Sequence, residues 1–163
     1  MKYTKYYMQK LEEGKKYEKF IKQELYIKKQ LTLNLCGNKE QQINIGENLE
    51  GIEIKFDNKK NIYKNIYIEL QEKTNKNNTY WVNSGILRKD NTHSWIIGDY
   101  QEAFIFWKFH LKQLYKNNLY LKEVSTKTSR GFLLNTEMQN KYCLNKLIFN
   151  KNLYKDNQLT LDI

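Results

Sequence analysis

A chain of 163 residues with 40% hydrophobic and 14% aromatic side chains carries enough apolar material to close one ordinary core, which excludes a disordered polymer. It contains no run of about 18 apolar residues, so no membrane-spanning helix is expected, and its first residues, MKYTKYYMQK, lack the apolar stretch of a secretory signal. Its 28 basic and 18 acidic side chains leave a formal charge of +10, which favours a polyanionic partner, nucleic acid above all, although AT-rich codon usage inflates lysine in the same way.

In chain order, residues 15–29 predict a helix, because Tyr17, Phe20, Ile21, Glu24 and Ile27 or Lys28 recur at helical spacing among lysines. LTLNL (31–35) alternates as a strand does, and the polar stretch from Gly37 to Gly46 predicts a turn and a short strand. In residues 46–75, Ile52, Ile54 and Phe56 alternate with Glu53, Lys55 and Asp57. Ile66, Ile68 and Leu70 then alternate with Tyr67, Glu69 and Gln71. Two period-two segments joined by a polar loop predict an antiparallel hairpin, aliphatic on one face and acidic on the other, with the aliphatic face buried against a helix. Further strands are expected at 79–82, 94–98, 103–106 and 119–124, and a helix at 107–115 with Trp107, Leu111 and Leu114 on one face. STKTSRG (125–131) predicts a loop. Thr136 and Gln139 have capping-box spacing for a helix running to about residue 148. One domain spanning 1–163 is the simplest organisation.

Side chains two apart on a strand share a face, so Glu69 and Gln71 project together, and Asp57 or Glu53 reaches them across a hairpin. Carboxylates that close repel one another, and a hard divalent cation, Mg²⁺ or Mn²⁺, would compensate the repulsion and activate a water. Cys36 and Cys143 sit in no CxxC pattern and read as reduced thiols of a cytoplasmic protein. His93 and His110 have no ligand spacing. Trp81, Trp95 and Trp107 read as scaffold before they read as base-stacking platforms. No Gly-rich phosphate loop, Ser-His-Asp pattern or HExxH occurs.

An acid at a strand end, a hairpin, and an acid-x-polar triplet on an aliphatic strand together resemble the PD-(D/E)XK nuclease superfamily in its Glu-x-Gln variant. GIEIKFD…NIYIELQEKTN is also similar to small phage or prophage proteins of that fold. The resemblance covers the N-terminal half. It implies a restriction-endonuclease-like α/β fold, a central mixed β-sheet flanked by helices, and a metal-dependent DNA nuclease, an endonuclease in preference to an exonuclease. It assigns the metal to Asp57 and Glu69, with Glu53 as the alternative first acid. Glu24, or Glu18, takes the place of the acid on the preceding helix. Gln71 stands where the family has lysine, so Gln71 or Lys73 would place the water. Lys55, Lys127, Ser129 and Arg130 would hold the DNA backbone, with Arg88 and Lys89 as weaker candidates. Members often dimerise, so a homodimer is a further expectation. The Gln71 departure motivates an alternative: a catalytically inactive module that binds nucleic acid or a host protein.

Overall fold

A computed structural model gives the fold and describes residues 5–36, 48–58 and 60–149. Helix α1 (Lys5–Lys29) starts earlier than its apolar periodicity predicts. Tyr17, Phe20, Ile21 and Glu24 bury as expected and Leu25 joins them, whereas Ile27 is exposed. The helix stops in an αL cap: Gln30 N–H donates to Tyr26 O (2.9 Å), and Leu31 N–H reaches back to Leu25 O (3.2 Å). Gln30 takes the left-handed conformation (φ 54°) that glycine usually fills. LTLNL does not form the expected strand. Leu33 buries, but the segment's one bridge among the described residues joins Leu35 to Asn48. The turn and strand expected between Gly37 and Gly46 lie outside the described residues.

The chain continues through β1 (Ile52–Phe56), α2 (Lys60–Tyr63), β2 (Asn65–Glu72), β3 (Val82–Asn83), a 3-10 turn (Gly85–Leu87), β4 (Ser94–Gly98) and β5 (Glu102–Trp107). It ends in α3 (Lys108–Lys116), β6 (Lys122–Ser125), β7 (Ser129–Asn135), α4 (Thr136–Tyr142) and β8 (Asn145–Ile148). The strands form two four-stranded sheets, β1-β4-β5-β8 (sheet 1) and β3-β2-β7-β6 (sheet 2). β1 and β4 run parallel and the other pairs antiparallel, so the chain is mixed α/β.

The expected hairpin does not form, because β1 and β2 join different sheets. β1 pairs with β4, from Ile52↔Ser94 to Phe56↔Gly98, and β2 pairs with β7 and β3. The connection DNKKNIYKN has no glycine for a tight primed turn. It winds into α2 and carries the chain from one sheet to the other. The aliphatic faces then serve different layers. Ile54 of β1 packs with Tyr17, Phe20, Ile21 and Leu25 of α1. Ile66, Ile68 and Leu70 of β2 pack mainly against sheet 1, on Trp95, Ile97, Phe104 and Phe106, with Leu111 and Leu114 of α3 closing that core. Sheet 1 is therefore the middle layer, between α1 and sheet 2. This is why β4, SWIIG, is buried at every position and reads as an apolar run without alternation.

Other departures are local. The strand expected at 79–82 is reduced to Val82–Asn83, and β7 begins at Ser129 inside the expected loop. The strand expected at 119–124 is Lys122–Ser125. Trp107 is exposed and precedes α3. α4 stops at Tyr142, and the residues assigned to its continuation become β8, the edge strand of sheet 1. The cap of α4 is Asn135, which accepts from Met138 N–H (2.9 Å). Thr136 and Gln139 instead bond Lys64 O, each at 3.1 Å. Among the described residues no helix is long and apolar enough to cross a membrane.

Candidate nucleic-acid interface at the end of the β2–β7 sheet

The layering separates several residues that the sequence groups together. Glu53 lies on β1 and is 2% exposed. It pairs with Lys55 and with Arg88 (3.3 Å), and Arg88 also bonds Asp90 (2.6 Å). Lys108 completes this network on Asp90 at 2.6 Å. Burial would push the Asp90 carboxyl up, but hydrogen bonds from Lys108 and Arg88 outweigh it and hold the group below its ordinary value. Lys55 also lies over the Trp95 ring, 5.9 Å from its centroid. Glu24 is buried on α1 and pairs with Lys28 (2.8 Å), on the opposite side of sheet 1 from β2. Glu18 is also on α1, where burial raises its carboxyl above the usual range against the opposing pull of Lys55.

Asp57 follows β1 and reaches across to sheet 2. Its Oδ2 accepts the Tyr67 N–H at 3.3 Å, two positions before Glu69 on β2. The Glu69 carboxylate is tethered on both oxygens. Oε1 accepts from Ser84 Oγ (2.7 Å) and Oε2 from Ser129 Oγ (2.8 Å). Ser129 Oγ in turn lies 2.6 Å from the Tyr67 hydroxyl. Burial raises the Tyr67 phenol above its ordinary value, so at neutral pH it keeps its proton and donates to Ser129. Two glycines make this arrangement possible. Gly85 has φ 48°, and a Cβ there would meet Glu69 O at 2.1 Å; a Cβ at Gly131 would meet the Tyr67 ring at 2.7 Å. Among the described residues no three acid, histidine or cysteine side chains group so as to hold a metal ion.

At the same end of sheet 2 the expected backbone contacts gather. Lys73 Nζ lies 4.6 Å and the Arg130 guanidinium 4.1 Å from the centre of the Trp81 ring. Gln71 donates to Asn83 Oδ1 (3.4 Å). Lys127 is exposed in the β6–β7 turn, where Thr126 Oγ1 accepts the Ser129 N–H at 2.9 Å. A cleft of about 360 Å³ opens beside Gln71 and Arg130, with Tyr115 and Glu123 across it. Lys73, Lys127 and Arg130 have no carboxylate partner among the described residues. By contrast Lys55, Lys60, Arg88, Lys108 and Lys146, all packed on sheet 1, are each paired with one. Glu69 is thus brought to Ser129, and Lys73 and Arg130 to Trp81, at one end of sheet 2. A bulge between Glu69 and Gln71 sets these two opposite the consecutive residues Gly131 and Arg130, so the expected shared face is not kept, and Glu53, Glu24 and Lys55 lie elsewhere.

Sequence reasoning undervalued three members of this region. Tyr67 was in phase with Glu69 and therefore detectable. Ser84 and Trp81 come from a segment whose return to β2 has no local signal. Comparison with protein families, with curated proteins and with solved structures finds no match to this chain.

Proposed function

We propose that this chain binds single-stranded nucleic acid through the Lys73–Trp81–Arg130 end of sheet 2, with Lys127 beside it. The observation that carries this reading is the pair of cations, Lys73 and Arg130, stacked on the Trp81 indole next to the exposed Tyr80. A guanidinium stacked on an aromatic face keeps its N–H edge available for phosphate oxygens, and exposed aromatic rings give bases a surface to stack on. The net charge of +10 acts in the same direction at long range. Fluorescence anisotropy with a labelled oligonucleotide across a salt series tests it. Replacing Lys73 or Arg130 by alanine is expected to weaken binding about tenfold and to lower the salt slope by roughly 0.7 for each cation removed. Trp81→Ala should cost about 1–3 kcal/mol. Binding that ignores salt, or that survives all three substitutions unchanged, would sink the proposal.

A second reading, metal-dependent DNA cleavage on a restriction-endonuclease-like core, is favoured by one contact, that of Asp57 with the strand that carries Glu69. Among the described residues no group of three acid, histidine or cysteine side chains forms around Glu69, whose oxygens each accept one serine hydroxyl and keep one lone pair. Mg²⁺-dependent nicking of plasmid DNA that disappears in both Asp57→Ala and Glu69→Ala would establish it. Nicking that persists in both variants would remove it.

A further inference from the structure

The geometry points to a site for a hard divalent cation, Mg²⁺ or Mn²⁺, between Asp57 and Asp99, where the parallel strands β1 and β4 end side by side. Phe56 pairs with Gly98, and Asp57 N–H donates to Gly98 O at 2.8 Å, so the two aspartates occupy adjacent positions just beyond the carboxyl ends of neighbouring parallel strands. Ligands of open α/β sheets characteristically sit at such ends.

Two acids alone would not make a site. The second observation is a pair of buried polar atoms without partners. Asp99 is 5% exposed, and its Oδ1 accepts from Gln101 N–H (2.7 Å) and Glu102 N–H (3.1 Å). Its Oδ2 is buried and accepts no hydrogen bond among the described residues. The Tyr17 hydroxyl, on α1, is fully buried and likewise has no partner. The two belong to one neighbourhood. The Tyr17 ring packs on Phe56 and Tyr100, the chain neighbours of Asp57 and Asp99. The surroundings are apolar: Tyr17 packs against Phe56 (5.0 Å between ring centres), Phe20 (5.9 Å) and Tyr100 (5.4 Å). An unpartnered carboxylate oxygen among aromatic rings is costly as an anion. Lys60, the nearby cation on α2, is engaged by Glu102, which Lys146 also holds. A cation bound to Asp99 Oδ2 and to the Asp57 carboxylate, which also accepts the Tyr67 N–H, with the Tyr17 oxygen and water completing an all-oxygen shell, satisfies the two orphaned atoms at once. Mg²⁺ sites commonly use one or two carboxylates plus water.

This inference is independent of the nucleic-acid reading, and its test uses the full chain without nucleic acid. Mn²⁺ binding is followed by the loss of the free-ion EPR signal, with thermal stability in Mg²⁺ as a second readout. One Mn²⁺ per chain is expected, with affinity reduced at least tenfold in Asp57→Asn and Asp99→Asn, reduced but retained in Tyr17→Phe, and unchanged in Glu69→Gln. Because Asp99 also caps its own turn, Asp57→Asn is decisive if Asp99→Asn does not fold. No Mn²⁺ site in the native chain, or one that survives in Asp57→Asn, overturns the assignment and leaves a buried water between Tyr17 and Asp99. Binding lost in Glu69→Gln but kept in Asp99→Asn overturns it in favour of the Asp57–Glu69 nuclease site.

Discussion

β1 and β2 have the same sequence pattern, aliphatic residues alternating with carboxylate-bearing polar ones, yet their polar faces meet opposite conditions. Glu53 on β1 lies under the 84–93 segment, almost without solvent, and two cations compensate it. Glu69 on β2 is half-buried on the side of sheet 2 away from the core, and neutral hydroxyls hold it. In a layered fold, alternation tells which residues share a face but not what covers that face. A buried acid needs charge compensation to exist at all, whereas an acid at the surface needs only orientation.

Substitutions along the two strands sharpen this contrast. The largest effect is expected on the face of β2 that the acids do not use: Ile68→Ala should lose about 3–4 kcal/mol in urea unfolding, through the cavity left between the sheets. Next comes the covered network beside β1. Asp90→Asn removes the counter-charge of Lys108, whose side chain is 7% exposed, and should cost about 3 kcal/mol. Its pH dependence has a definite sign. The folded Asp90 carboxyl sits below the ordinary 3.8, so its contribution is fully present above pH 3.8 and is lost as pH falls through the lowered folded value. The variant should therefore show a shallower acid limb in pH-dependent unfolding. Smallest is Glu69→Gln, expected to change stability by no more than about 1 kcal/mol, because the amide oxygen still accepts from a serine and water reaches the rest. If Glu69→Gln proved as damaging as Asp90→Asn, the two faces would be alike after all.

What the sequence revealed follows the range of each signal. The stripe of α1 over 15–29, the cores of β1 and β2, the apolar runs of β4 and β5, and the helix after Trp107 all depend on short-range patterns, and the elements form there. The pairing of β1 was not legible, since β4 begins at Ser94, with all of β2 in between. Residues 145–148 carry Leu147 at a spacing that continues the stripe of α4, and only the open edge of β5 makes them a strand. For the site, the phase of Tyr67 with Glu69 was readable, but that of Glu69 with Gln71 is broken by a bulge, which sets them opposite the consecutive residues Gly131 and Arg130. The distance between Glu53 and Glu69 was not readable, because it depends on which sheet each strand joins. The tilt toward nucleic acid came from a lysine excess, and the stacking of Lys73 and Arg130 on Trp81 had no signal in the sequence.

The order in which strands are dealt to the two sheets constrains how the chain is assembled. β1 enters sheet 1, β2 and β3 enter sheet 2, β4 and β5 return, β6 and β7 cross again, and β8 closes the first sheet. A nascent chain ending at residue 116 holds neither sheet whole, and the edge beside β5 stays open until residues 145–148 have been made. Folding is then dominated by contacts between distant segments and is slow for a chain of this size. No single cut can release one sheet from the other.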